Sequence, residues 1–135
     1  KVKTHAGDVD FEVQPEHLSL FSNRDFGRYA GEKGEMNVCF ISNNDITGGN
    51  SGSAMFNARG ELLGLAFDGN WEAMSSDILI GLAFDGNWES MSCNVAFEPE
   101  VQRAIGVDVR YILFMIEKYG KAGDLIRELK IVSGK

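Results

Sequence analysis

Residues 54–67 read Ala-Met-Phe-Asn-Ala-Arg-Gly-Glu-Leu-Leu-Gly-Leu-Ala-Phe. Two short runs of apolar and small residues, Ala54–Asn57 and Glu61–Phe67, flank Arg59-Gly60. Glycine at such a junction accepts the positive φ that a tight turn requires, so the stretch predicts a β-hairpin. Upstream, Met36–Ile41 has the composition of a further strand, and Ser42–Ser53 carries the Asn, Asp, Gly, Ser and Thr of a turn-rich loop. The chain is therefore read as mainly β around this hairpin.

Immediately downstream the sequence repeats itself. Gly64–Glu72 reads GLAFDGNWE, and the same nine residues recur as Gly81–Glu89, seventeen positions later. Over Gly64–Asp77 and Gly81–Asn94, eleven of fourteen positions are identical, the exceptions being Ala73/Ser90, Ser76/Cys93 and Asp77/Asn94. A solenoid needs about three or more units to bury a continuous face, so two copies speak instead for a segmental duplication or an error of sequence assembly. Each copy holds an Asp-Gly pair, Asp68-Gly69 and Asp85-Gly86, which by itself reads as a turn. Trp71 and Trp88 read as packing anchors.

Residues 1–35 are polar and read as a loop-rich lead-in with one short helix near Pro15–Phe21. Residues 36–98 form the β region with the duplicated strand-turn at 64–77 and 81–94, and 99–133 read as a C-terminal helical segment of the same domain. In that segment Val101, Ile105, Val109, Ile112, Ile116 and Tyr119 fall on one helical face. The face is interrupted at Gly106 and restarts with Asp108 as N-cap. The charges along Lys118–Lys130 read as a solvated helix face.

At 135 residues one domain with a genuine core is expected. A net charge of −7, with no basic stripe to offset it, repels phosphate backbones and argues against a nucleic-acid partner. No apolar run approaches the roughly 20 residues that span a bilayer. The N-terminus, Lys1-Val2-Lys3-Thr4-His5, has neither an initiator Met nor a signal-peptide core, which predicts a processed product or an excised piece. Cys39 and Cys93 stand far apart without a C-x-x-C pair, so no metal site and no cofactor is expected. Cys39, in the run Val38-Cys39-Phe40-Ile41, reads as a small packed hydrophobe, and a disulfide with Cys93 stays open.

The stretch with the clearest chemical meaning is Thr47-Gly48-Gly49-Asn50-Ser51-Gly52-Ser53. A nucleophilic serine needs an exposed hydroxyl and nearby N–H groups aimed at a developing oxyanion, and glycines let the backbone turn tightly enough to aim them. Ser53 stands where the α/β-hydrolase elbow G-x-S-x-G has its last glycine, and no Lys follows the glycines as a phosphate loop demands. What is left is the Gly-x-Ser-Gly pattern of Gly49–Gly52 entering a strand, with an ordinary glycine turn as the alternative.

The surroundings narrow the choice. Asn43–Ser53, Gly60–Glu72, Asp25–Ala30, Ala96–Glu100, Gln102-Arg103 and Val107–Tyr111 together resemble the C-terminal end of the bacterial dipeptidyl-peptidase 7 and 11 family, serine peptidases of the chymotrypsin clan. The resemblance implies the second half-barrel of a chymotrypsin-like double β-barrel followed by a C-terminal helix. It implies Ser51 as nucleophile, with the N–H groups of Gly49 and Ser51 as oxyanion hole. It makes Asp68 the group that grips the substrate's free amino terminus, and it places Gly69 in the specificity pocket, where acid-selective relatives carry Arg. Asp85 and Gly86 of the second copy are the alternatives for those two roles, and the shorter tether to Ser51 favours the first. Peptides with a free N-terminus are the implied substrates, in the periplasm or at the surface of a Gram-negative bacterium.

A serine hydroxyl is a poor nucleophile unless a histidine takes its proton and a carboxylate orients that histidine. Only His5 and His17 are present, both read as solvated loop residues, and neither lies in a segment like the family's histidine or aspartate motifs. The chain is thus expected to be part of a larger enzyme whose remainder is its first partner, and to be inactive alone. A homodimer stays open. The competing functions are a non-catalytic β-domain that binds peptides or partners, and a gene fragment with no function of its own.

Overall fold

The computed structural model describes residues 5, 7–71, 73 and 100–132. They fall into two compact units, one from Asn37–Ile112 and one from Lys1–Met36 with Leu113–Lys135.

The first of these is an antiparallel sheet of four strands, β1 (Cys39–Ser42), β2 (Ala54–Phe56), β3 (Leu62–Gly69) and β4 (Ala104–Asp108). Their order across the sheet is β1-β4-β3-β2. The hairpin read from residues 54–67 is β2–β3, with Ala54 opposite Leu65 and Met55 opposite Gly64. Its turn is tied by Asn57: Asn57 Oδ1 accepts from the N–H groups of Arg59 (2.9 Å) and Glu61 (3.0 Å), and the Gly60 N–H donates to the Asn57 carbonyl (2.9 Å). Gly60 supplies the positive φ, +75°.

Met55, Ala66 and Ala104 form the buried core of the sheet, with Phe40 and Ile46 packed against it. Two glycines make room for the Phe40 ring. A Cβ on Gly106 would come within 2.5 Å of Phe40 Cζ and 2.8 Å of Met55 Sδ, and one on Gly64 would overlap the Val107 carbonyl oxygen.

β4 corrects the sequence reading of a helix from residue 99. Ala104, Gly106 and Asp108 are buried while Ile105 and Val107 are half-buried, a period of two rather than 3.6. A spacing of four, as from Val101 to Ile105, fits either period, and sheet pairing to β1 and β3 decides it. β1 also begins later than Met36, at Cys39, and Cys39 is exposed rather than packed. Cys93, its suggested disulfide partner, lies outside the described residues.

After β4 the chain becomes helical at α2 (Val109–Phe114), running on as a π-turn through Met115–Tyr119. Asp108 caps α2 as its spacing suggests: Oδ1 accepts from the Arg110 N–H at 2.8 Å, and the carboxylate pairs with the Arg110 guanidinium at 2.6 Å.

The second unit contains α1 (Pro15–Ser22), the 3₁₀ turns Val9–Phe11 and Gly27–Tyr29, and α3 (Gly123–Arg127). Its core is aromatic: Phe21, Phe26 and Phe114 meet edge to face at 5.2–5.9 Å between ring centroids. His17 is on α1 rather than in a loop, half-buried between Phe21 (5.0 Å) and Tyr119 (5.6 Å). His5 stacks on Phe11 at 4.6 Å. The charged C-terminal face is partly paired, Lys118 with Asp25 at 2.8 Å and Arg127 with Asp124. Among the described residues no helix is long and apolar enough to cross a membrane.

Candidate active site

The serine loop is anchored to β3 on its exit side. The Gly52 N–H donates to the Ala66 carbonyl (2.7 Å), and the Ala66 N–H donates to the Ser53 carbonyl (2.8 Å). On its entry side Asn50 closes the loop: its N–H donates to the Thr47 carbonyl (3.1 Å) and its Oδ1 accepts from the Thr47 N–H (2.8 Å). Gly49 and Gly52 both have positive φ, +92° and +86°, so the loop uses glycine on either side of Ser51 to reverse direction.

Ser51 itself is exposed, and its Oγ donates to the Phe67 carbonyl at 3.2 Å. Among the described residues, the N–H groups of Asn50, Gly52 and Ser53 are taken by backbone carbonyls, whereas those of Gly49 and Ser51 donate to none. Two amides without a backbone acceptor among the described residues thus lie beside an exposed hydroxyl in sequence.

Phe67 is where β3 departs from regularity. Ala66 lies opposite Gly106 and Asp68 opposite Ile105, so Phe67 is the extra residue of a β-bulge. A regular strand alternates its faces, but here Phe67 and Asp68 are both exposed. The bulge thus supplies the carbonyl that Ser51 contacts, and it brings the Asp68 carboxylate to the surface one residue further on.

Asp68 and Gly69 are not turn residues. Both belong to β3, Asp68 opposite Ile105 and Gly69 opposite Ala104, and Asp68 Oδ1 accepts from the Gly69 N–H at 2.8 Å. The Asp-Gly signal is overridden because pairing with β4 continues past the bulge. Trp71 also departs from its reading as a packing anchor, since it is 71% exposed. Asp85, Gly86 and Trp88 of the second copy lie outside the described residues; β3 is built from the first copy.

One contributor was not singled out by the sequence. Asn70, just after β3, donates from Nδ2 to the Val101 carbonyl (2.9 Å) and accepts at Oδ1 from the Arg103 N–H (2.9 Å). Its only signal was its place after Asp-Gly. His5 and His17 lie in the other unit from Ser51. Among the described residues no group of three or more His, Cys, Asp or Glu side chains is placed to hold a metal ion.

Comparison with known proteins supplies the class: the chain is similar to peptidases. The family model of peptidase S46 matches residues 1–79 and 78–131, two matches that meet between the two copies of the duplicated stretch, and the chain belongs to that family. It is 54% identical over 125 residues to dipeptidyl-peptidase 7 of Porphyromonas endodontalis, which covers 93% of this chain and 13% of that protein. It is 40% identical over 129 residues to an Asp/Glu-specific dipeptidyl-peptidase of Flavobacterium psychrophilum, covering 96% of this chain and 16% of that one. Among solved structures, it is similar to Porphyromonas endodontalis DPP11 in complex with the dipeptide Arg-Glu, with a TM-score of 0.71 and 35% identity over 94% of this chain and 16% of that one. The chain thus spans only about a sixth or less of the length of these relatives.

Proposed function

We propose that this chain is the C-terminal, serine-bearing portion of a serine dipeptidyl aminopeptidase, which releases dipeptides from peptide N-termini through an acyl-enzyme. The observation that carries the reading is the exposed Ser51 hydroxyl, held 3.2 Å from the carbonyl of the bulged Phe67, in a loop whose Gly49 and Ser51 N–H groups donate to no backbone carbonyl among the described residues. Ser51 Oγ attacks the scissile carbonyl, and the two N–H groups receive the oxyanion that forms. Asp68 binds the substrate's ammonium. A carboxylate at fixed distance from the nucleophile is what an enzyme needs to measure two residues from a free amino terminus.

Gly69 lines the pocket for the residue before the cleaved bond. Lacking a side chain and a charge, it favours apolar or mixed residues over acidic ones. In this reading the four-stranded sheet is the second half-barrel of a chymotrypsin-like double barrel, in a periplasmic or surface enzyme. The proton acceptor and its orienting acid come from the remainder of the parent enzyme, so the 135-residue chain alone is inactive.

A fluorophosphonate probe tests this directly. The full-length protein carrying this segment should be labelled and should release dipeptides, Ser51→Ala should abolish both, and the isolated chain should react at no more than background rate. Loss of triad members costs on the order of a millionfold in turnover in a well-studied serine protease, so an isolated chain with ordinary turnover would overturn the reading.

A further inference from the structure

Past the bulge, β3 pairs among the described residues with β4 alone. β2 pairs with β3 only as far as Leu65, and beyond Phe67 the strand keeps two partners on β4, Asp68 with Ile105 and Gly69 with Ala104. The next residue, Asn70, makes at least four hydrogen bonds to described residues. Its N–H donates to the Arg103 carbonyl (2.9 Å), its Oδ1 accepts from the N–H groups of Arg103 (2.9 Å) and Ala73 (3.2 Å), and its Nδ2 donates to the Val101 carbonyl (2.9 Å). The segment it grips, just ahead of β4, is itself braced, because the Arg103 guanidinium donates to the carbonyls of Gln102 (2.7 Å) and Glu100 (3.0 Å). A carboxamide can donate from its nitrogen while it accepts at its oxygen, as Asn70 does here.

We propose that Asn70 is a positioning residue for substrate recognition. It locks the end of β3 to residues 101–103, and so fixes Asp68 and Gly69 relative to Ser51. The inference rests on the roles given to Ser51 and Asp68 above. It adds that the distance from hydroxyl to carboxylate is set by Asn70 and not by β3 pairing alone. A misplacement of about 1 Å at a reacting centre can cost on the order of a hundredfold, so a frayed strand end would be felt in turnover well before it was felt in folding.

The test uses the full-length enzyme with two readouts: the rate of labelling by a fluorophosphonate, which needs no amino-terminal grip, and kcat and KM for dipeptidyl coumarylamides with a free amino terminus. Asn70→Ala should lower kcat/KM by about a hundredfold, with a rise in KM, while labelling stays within about twofold of the parent. Asn70→Asp keeps the acceptor but sets an oxygen against the Val101 carbonyl, and should fall between the two. Unchanged kcat/KM in Asn70→Ala, or labelling that falls in step with turnover in both variants, overturns the positioning role. A parent enzyme that is not labelled at all overturns instead the reading of Ser51 beneath it.

Discussion

The Tyr29 hydroxyl and the Arg28 guanidinium converge on one oxygen of Glu117, Tyr29 by a hydrogen bond and Arg28 by contacts of 2.9 and 3.2 Å. The Tyr29 hydrogen bond, followed by that of Arg28, holds the Glu117 carboxyl below the usual carboxylate range. Burial pushes the Tyr29 phenol up. A depressed carboxylate adds stability that is complete above its unfolded value and is lost as pH falls through its folded value. Tyr29→Phe should therefore destabilise the protein most near neutral pH, with the difference from the parent shrinking as the medium is acidified. Denaturant unfolding at a series of pH values measures this, and a difference that stays constant with pH would show that the bond does not distinguish the two states of Glu117. At this scale the sequence was legible where chemistry is local. Gly49, Ser51 and Gly52 announce their loop because glycine's conformational freedom belongs to the residue itself. Asn70 could not announce its link to β4's approach, since Val101 and Arg103 lie 31 and 33 positions away.

Among elements, the β2–β3 hairpin was plain from two short runs around a turn glycine, whereas β4 was read as helix. Its residues fit both periods, and its need for glycine at 106 is visible only once Phe40 arrives from β1. In a sheet core that contact has a measurable consequence. Gly106→Ala should cost about 1–3 kcal/mol, as expected when a methyl group is forced into a well-packed interior. If the Phe40 ring is the obstacle, Phe40→Leu should recover part of that loss, so the two substitutions should be non-additive by about 0.5 kcal/mol or more in a double-mutant cycle of unfolding free energies. Strict additivity would mean that the Met55 sulfur, and not the ring, resists the methyl group. The bulge at Phe67 was hidden for a similar reason. A single extra residue changes no sequence period, yet it decides that Phe67 and Asp68 both face outward beside Ser51.

For the whole chain, the duplication sets two identical stretches, Gly64–Glu72 and Gly81–Glu89, against one place between β2 and β4. The first copy fills it. What favours that copy stands three residues ahead of it: Glu61 accepts from Asn57 Nδ2 at 2.5 Å and pairs with Arg59 at 2.7 Å, while Ile78 stands at the equivalent place before the second copy. Loop length opposes an exchange only weakly, because each doubling costs about 0.6 kcal/mol. The two copies should therefore be interchangeable at modest cost. Gly64→Ala, which sets a methyl group against the Val107 carbonyl, should be survived through the second copy. Gly81→Ala alone should be silent, and the two together should abolish cooperative unfolding followed by circular dichroism. Deleting residues 64–80 joins Glu61-Leu62-Leu63 directly to Gly81, which keeps the Asn57–Glu61 turn and one full copy while halving the connection from strand to strand. Stability should then rise by roughly 0.6 kcal/mol, the entropy of the shorter closure. Gly64→Ala as damaging as the double variant would show that only the first copy can complete the sheet, and a deletion that lowers stability would show that the second copy contributes contacts of its own.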